Sequence, residues 1–250
     1  MSWGLYYIGT LDGQSLLSQA IDALAQQGVV FVSSAGNNGD VNFHLDYTFS
    51  SDTIRSGIEM YPFNAHPNMW GQCLSFWGEP AQPFSVQIEI RNNSNQWLAS
   101  SFWYHSSQGP AWLPDTTIYA AGDSVRISVL LESAHMLNQR PHAQIKVQQI
   151  SGNLKINIVA TASSGRLHSW NVTELNNGVG NWGMPFSAWG SGWIQGNRDY
   201  GIGEPASAAS VLTVASHTPE FYPAPGSPMA NGFLSLFSSK GPLITGKMKP

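Results

Sequence analysis

The stretch Gly28–Asp40, GVVFVSSAGNNGD, decides how this chain is read. An apolar run, Val29 to Val32, passes through Ser33 and Ser34 and stops on Ala35, Gly36, Asn37, Asn38 and Gly39. A short apolar run bounded by turn residues has the pattern of a strand covered on both faces in a parallel sheet. Upstream, Leu17, Ile21 and Leu24 recur at i, i+4 and i+7, and Leu16, Ala20 and Ala23 widen that face, which is the period of an amphipathic helix. Asp12 or Ser15 can cap its start, and Gly28 stands where a left-handed residue ends a helix. The opening MSWGLYYIG, residues 1–9, reads as the inside of a strand and its exit, so the chain begins in mid-pattern, as an internal piece does. The first forty residues thus read strand, helix, strand. In a right-handed crossover, functional groups gather beyond the carboxyl ends of the strands. Ser2, Trp3 and Gly4 end the first strand and Gly36 and Asn37 the second, so both ends are expected to flank one cleft.

From about residue 41 to residue 200 the texture changes to the strand period. Phe84, Val86, Ile88 and Ile90 alternate with Ser85, Gln87 and Glu89, and Val125, Ile127, Val129 and Leu131 repeat the pattern. Ile145 and Val147 lie on one further strand and Leu154, Ile156 and Ile158 on the next, with a hairpin turn expected at Ser151–Asn153. Short alternating strands separated by Gly, Pro and Asn turns predict an inserted antiparallel β-sandwich or jelly roll. After it, EPASAASVLTVAS gives a strand at Val211 to Ala215 and FLSLFSSKGP another, broken at Gly241 and Pro242. The expected architecture is an α/β core of parallel sheet and helices, residues 1–40 and 201–250, interrupted by an all-β domain, residues 41–200.

Composition narrows the function. Charged residues make up 10% of the chain and the net charge is −4, which excludes a basic nucleic-acid surface. No stretch is long and apolar enough to span a membrane as a helix. The single cysteine, Cys73, excludes an internal disulfide and reads as a small buried hydrophobe. Nine of the ten tryptophans lie between Trp70 and Trp193, and Trp182, Trp189 and Trp193 fall within one short loop sequence. Core packing accounts for most of them; exposed rings among them suit a glycan or protein ligand. His44, His66, His105, His135, His142 and His168 lack metal-ligand spacing and a nucleophile motif nearby, and DVNFHLD, with Asp40, His44 and Asp46, lacks the ligand density of a calcium loop. No cofactor is expected.

Four ordered segments, SWG, GVVFVSSAGNNG, EPASAASVLTVAS and FSSKGP followed by GKMKP, together resemble the subtilisin family of serine peptidases over about 90 residues. The resemblance implies a peptide or protein substrate, a secreted or cell-surface location, and a role for Asn37 as the amide that donates to the oxyanion of the tetrahedral intermediate. It implies that Ser2, Trp3 and Gly4 form one wall of the specificity pocket and Ser33, Ser34, Ala35 and Gly36 the other, although Trp3 is bulkier than that wall ordinarily carries. It also implies a triad in the order Asp, His, Ser, which this stretch lacks: no Gly-Thr-Ser occurs. The chain is therefore expected to be an inactive piece of a serine endopeptidase. The alternative is a noncatalytic binding or scaffold module whose Trp-rich sandwich recognises glycan or protein. A core with unpaired strand edges is also expected to make the chain a homo-oligomer.

Overall fold

The structure, a computed structural model, describes residues 1, 4, 9–61, 68–149, 154–176, 178–217 and 234–249. Its contacts divide the chain into two compact units, Met1–Val41 with Arg198–Pro250, and Asn42–Asn197.

The Asn42–Asn197 unit is a sandwich of two antiparallel sheets. One has the order β13 (Gly178–Gly183), β12 (Gly165–Leu175), β4 (Met69–Trp77), β10 (His142–Gln149), β9 (Asp123–Glu132), β8 (Ala111–Ala120), with β2 (His44–Phe49) also paired to β12. The other has the order β14 (Phe186–Ser187), β3 (Asp52–Ile58), β11 (Lys155–Ala162), β5 (Phe84–Arg91), β6 (Trp97–Ser100), with β7 (Tyr104–His105) against β5. Alternation explains the layers: Val86, Ile88 and Ile90 of one sheet and Val125, Ile127, Val129 and Leu131 of the other are buried in one shared core with Ile145, Val147, Ile156 and Ile158. Each such side chain contributes roughly 1.5–3 kcal/mol relative to leaving it in water. The outer edge strand β8 is blunted by Pro114, which has no N–H, by a register shift between Leu113 and Thr116, and by the Asp115–Arg126 ion pair. Trp77 and Trp170 are core residues, whereas Trp97, Trp112 and Trp182 are exposed. Cys73 is buried.

In the other unit, α1 (Leu16–Ala25) starts at Ser15, whose Oγ accepts the Ser18 backbone N–H at 3.0 Å. Asp12 instead closes the preceding turn, accepting the Gln14 N–H at 2.9 Å. Gly28, at φ +93°, carries the chain out of the helix. β1 (Val32–Ser34) then pairs in parallel with β15 (Leu212–Val214) in the register Val32↔Leu212, Ser33↔Thr213, Ser34↔Val214. Lys249 is buried, and its ammonium donates to Ala208 O at 2.7 Å and Val211 O at 2.9 Å just before β15.

These facts overturn the expected fold class. The described residues are nearly all β, with one α-helix, two antiparallel sheets and the two-stranded parallel pair β1–β15, and contain no parallel-sheet α/β core. The sequence pattern misleads for a physical reason. An apolar run reports what a strand could bury, not what lies over it, and here Val29, Val30 and Val32 remain exposed, Val30 at 74%. Likewise Leu16, Leu17 and Leu24 of α1 are exposed, while Ile21 packs on Ala208 and Val211. FLSLFSSKGP forms no strand among its described residues: Leu234 makes an isolated bridge to His217, and the chain then turns. The expected hairpin turn at Ser151–Asn153 lies outside the described residues.

Candidate functional site

β1 delivers the loop that carries Asn37. Its ladder runs on at both flanks, with Ala35 N–H donating to Val214 O at 2.9 Å and Ser34 N–H to Met1 O at 3.1 Å. Gly36 then turns the chain at φ +112°, a conformation that favours glycine. The loop is held from the far side by residues 237–239: Ser239 N–H donates to Gly36 O at 2.9 Å, Asn38 N–H to Ser239 Oγ at 3.0 Å, and Gly39 N–H to Phe237 O at 2.8 Å. A Cβ on Gly39 would stand 2.0 Å from Ser238 O, so this approach requires glycine. Behind it, Ser216 N–H donates to Ser238 Oγ at 3.1 Å, and the Ser216 and Ser235 hydroxyls lie 2.9 Å apart.

Within that loop Asn38 is buried and Asn37 is exposed, its side chain bonded to no other described residue. Ser34 and Gly36 are half-buried. Ser33 and Ala35 are buried, Ala35 packing with Ile202, Ala206 and Leu243, so neither offers a surface to a ligand. Gly4 is half-buried; Ser2 and Trp3 lie outside the described residues. The structure thus leaves Ser34, Gly36 and Asn37 accessible at the end of β1 and in the loop that follows it.

Beneath this layer Glu204 is fully buried. Ser18 Oγ donates to its Oε2 at 2.8 Å while Oε1 finds no partner, and burial pushes its carboxyl above the ordinary range. A Cβ on Gly9 would meet Ser15 Cβ at 2.7 Å and Glu204 Oε1 at 3.0 Å, which shows how closely the backbone lies on this carboxyl.

The sandwich contains two serine–histidine contacts that sequence reading missed. Ser85 Oγ lies 2.7 Å from His105 Nδ1. Ser75 Oγ lies 3.3 Å from His142 Nε2, and His142 Nδ1 is 2.8 Å from Glu132 Oε2. Burial lowers the His142 pKa, so the ring is neutral, donates from Nδ1 to Glu132 and accepts at Nε2 from the Ser75 hydroxyl. That order has the polarity of a serine relay. Ser75, however, is fully buried in mid-strand, its Oγ receives the Trp77 indole N–H at 3.0 Å, and Trp77 stacks on His142 at 4.0 Å. The chain serves packing: three polar groups of a wet sequence pattern satisfy one another in the core. Register alone signals it, because His142 pairs with both Trp77 and Glu132 across β10, and the linear spacing hides this. Among the described residues no group of three or more His, Cys, Asp or Glu side chains is arranged to hold a metal ion, and no helix is long and apolar enough to cross a membrane.

No family model and no curated protein matches the chain. Among solved structures it is similar to the CspB protease of Clostridium perfringens, with a TM-score of 0.63 and 18% identity, over 100% of this chain and 46% of that one. The chain therefore spans just under half the length of that protease. At this identity the likeness is one of fold. Together with the nearly all-β architecture, it overturns the assignment to the subtilisin family that the four sequence segments implied.

Proposed function

We propose that the chain is a segment, inactive by itself, of a larger serine peptidase, in which the Asn37 amide donates to the oxyanion and the backbone at Ser34 and Gly36 borders an extended peptide substrate. The observation that carries this reading is the division of labour inside one loop. Gly36, Asn38 and Gly39 are tied to residues 237–239, and Asn37 between them points an unbonded amide to solvent. An uncharged donor held on a fixed backbone costs little to desolvate and needs no reorganisation when charge develops, which is what stabilises an oxyanion. The likeness of fold to a solved protease supports the same reading. A secreted or cell-surface location goes with it.

In this reading the nucleophile and base come from outside the chain, because Ser75 is sealed in the core and, among the described residues, no third group is bonded to the histidine of Ser85. The test is incubation of the purified chain with fluorescent casein and with a serine-directed fluorophosphonate. The expected result is neither hydrolysis nor labelling; a labelled serine in this chain overturns the proposal.

A further inference from the structure

The Asn42–Asn197 unit has an open cavity of about 470 Å³ at the end where β3 leaves the sheet and β11 enters it, lined among others by Glu59, Asn93, Gln149, Lys155, Ile156 and Trp189. Its volume falls within the range of small-molecule sites, about 300–1,000 Å³.

The cavity is built around a fixed indole. A Cβ on Gly57 would come 2.3 Å from Trp189 Cε2, so Trp189 lies directly on the β3 backbone where only glycine leaves room. Its Nε1–H donates to Glu59 Oε1 at 3.0 Å, and Trp193 packs beside it at 5.8 Å. The Lys155 ammonium stands 5.3 Å from the ring centroid. Glu59 is held through its backbone, its N–H donating to Pro185 O and its carbonyl accepting from Asn171 Nδ2, both at 3.0 Å. The turn that carries Asn93 is fixed by Arg91, which bonds Asn95 O at 2.9 Å, Asn157 Oδ1 at 3.0 Å and Glu89 at 2.7 Å. Three polar ends remain for a ligand: the second oxygen of Glu59, the Asn93 amide and the Lys155 ammonium.

From this geometry we infer that the cavity is a binding site for a neutral pyranose unit of a glycan. The chemistry matches on three counts. The part of the Trp189 indole that Gly57 leaves uncovered lines the cavity and offers apolar surface to the C–H groups of a sugar ring. A carboxylate oxygen accepts, an ammonium donates, and an amide does both, which satisfies hydroxyls that are themselves donors and acceptors. One charge of each sign in the lining, Glu59 and Lys155, favours no ionic ligand, and the indole and Glu59 are held before the ligand arrives, which reduces the ordering cost of binding. This inference is independent of the peptidase reading and survives its failure.

The experiment is calorimetric titration of the whole chain with maltotriose, cellotriose and triacetylchitotriose, repeated on Asn93→Ala, Glu59→Gln and Trp189→Ala. At least one trisaccharide is expected to bind saturably, with affinity reduced tenfold or more by each substitution. Asn93→Ala removes an exposed side chain in a surface turn and keeps the test valid if Trp189→Ala does not fold. Absence of binding by all three sugars, binding that Asn93→Ala and Glu59→Gln leave unchanged, or preference for a zwitterion such as glycine over every trisaccharide overturns the inference.

Discussion

His44 Nε2 and His168 Nδ1 lie 3.1 Å apart inside the sandwich, and the proton between them is placed from one end of the line. Asp46 accepts from Asn197 Nδ2 at 2.7 Å, which turns the Asn197 oxygen toward His44 Nδ1 at 2.9 Å. His44 therefore donates from Nδ1 and accepts at Nε2, and His168 Nδ1–H is the donor between the rings. Burial first, with the adjacent His44 and the Arg166 and Arg140 guanidiniums adding to it, pushes the His168 pKa down to about 2.

Acid should therefore unfold the sandwich early. A histidine that refuses its proton when folded but takes it with an ordinary pKa of about 6.5 when unfolded stabilises fully above that pH and progressively less as pH falls. Glu89, held low by Arg91 and Asn157 against the cost of burial, and Glu132, held low chiefly by His142, add to the loss in more acid solution. Urea unfolding between pH 7 and pH 4 should show stability falling by up to about 1.4 kcal/mol per pH unit for this histidine. His168→Gln should flatten the slope between pH 6 and pH 5; an unchanged slope contradicts the assignment.

Glu204 predicts the opposite sign. Its raised pKa means the folded state holds the proton more tightly, so its contribution is present below the ordinary carboxyl pKa of about 4.5 and is lost as pH rises through the folded value. Glu204→Gln keeps an acceptor for Ser18 and cannot ionise. Hydrogen exchange of α1 at pH 8 should be slower in that variant, and Glu204→Ala should quicken it by leaving Ser18 unbonded, at a cost of about 1–3 kcal/mol.

Gly39→Ala should release the Asn37 loop. The added Cβ meets Ser238 O at 2.0 Å, a backbone atom that moves only by breaking the bonds between residues 36–39 and 237–239. We expect a cost of about 1–3 kcal/mol and new proteolytic cleavage between residues 36 and 41. Gly28→Ala, where nothing lies within 4 Å but φ is +93°, should cost only about 1 kcal/mol and leave that loop intact.

The exposed apolar side chains Val32, Leu212 and Val214 lie on one face of the β1–β15 pair, Leu212 at 59% exposure and Val214 at 51%, and Val30, just before β1, is exposed as well. Apolar strand surface of this kind promotes association. Light scattering should find the chain self-associated, and Val30→Lys with Leu212→Lys should shift it toward monomer; a monomeric parent contradicts this.

The strands of the sandwich were legible because a half-buried strand writes its burial into every second residue. The alternation at Phe84–Ile90 became β5, that at Val125–Leu131 became β9, and Ile156 and Ile158 became inward residues of β11. The helix was legible from its period, although of that apolar face Ile21 is buried and Leu16, Leu17 and Leu24 are exposed. What was illegible depends on partners: whether Val29–Val32 is covered, and which polar residues meet across strands. Ser75, Glu132 and His142 are joined by register, as are Glu59 and Trp189 by a glycine that leaves room for a ring. Asn37 was singled out over Asn38 by the resemblance carried by AGN; the structure adds that Asn37 is exposed and Asn38 buried.

The most direct test of the peptidase account is the turnover of the complete polypeptide carrying this chain, with Asn37 replaced by alanine. The amide acts mainly once the oxyanion has formed, so kcat should fall by about 10² to 10³ with KM nearly unchanged. Asn38→Ala, which removes a buried neighbour, should instead act through stability. An Asn37→Ala enzyme that keeps its parent's kcat would contradict the account.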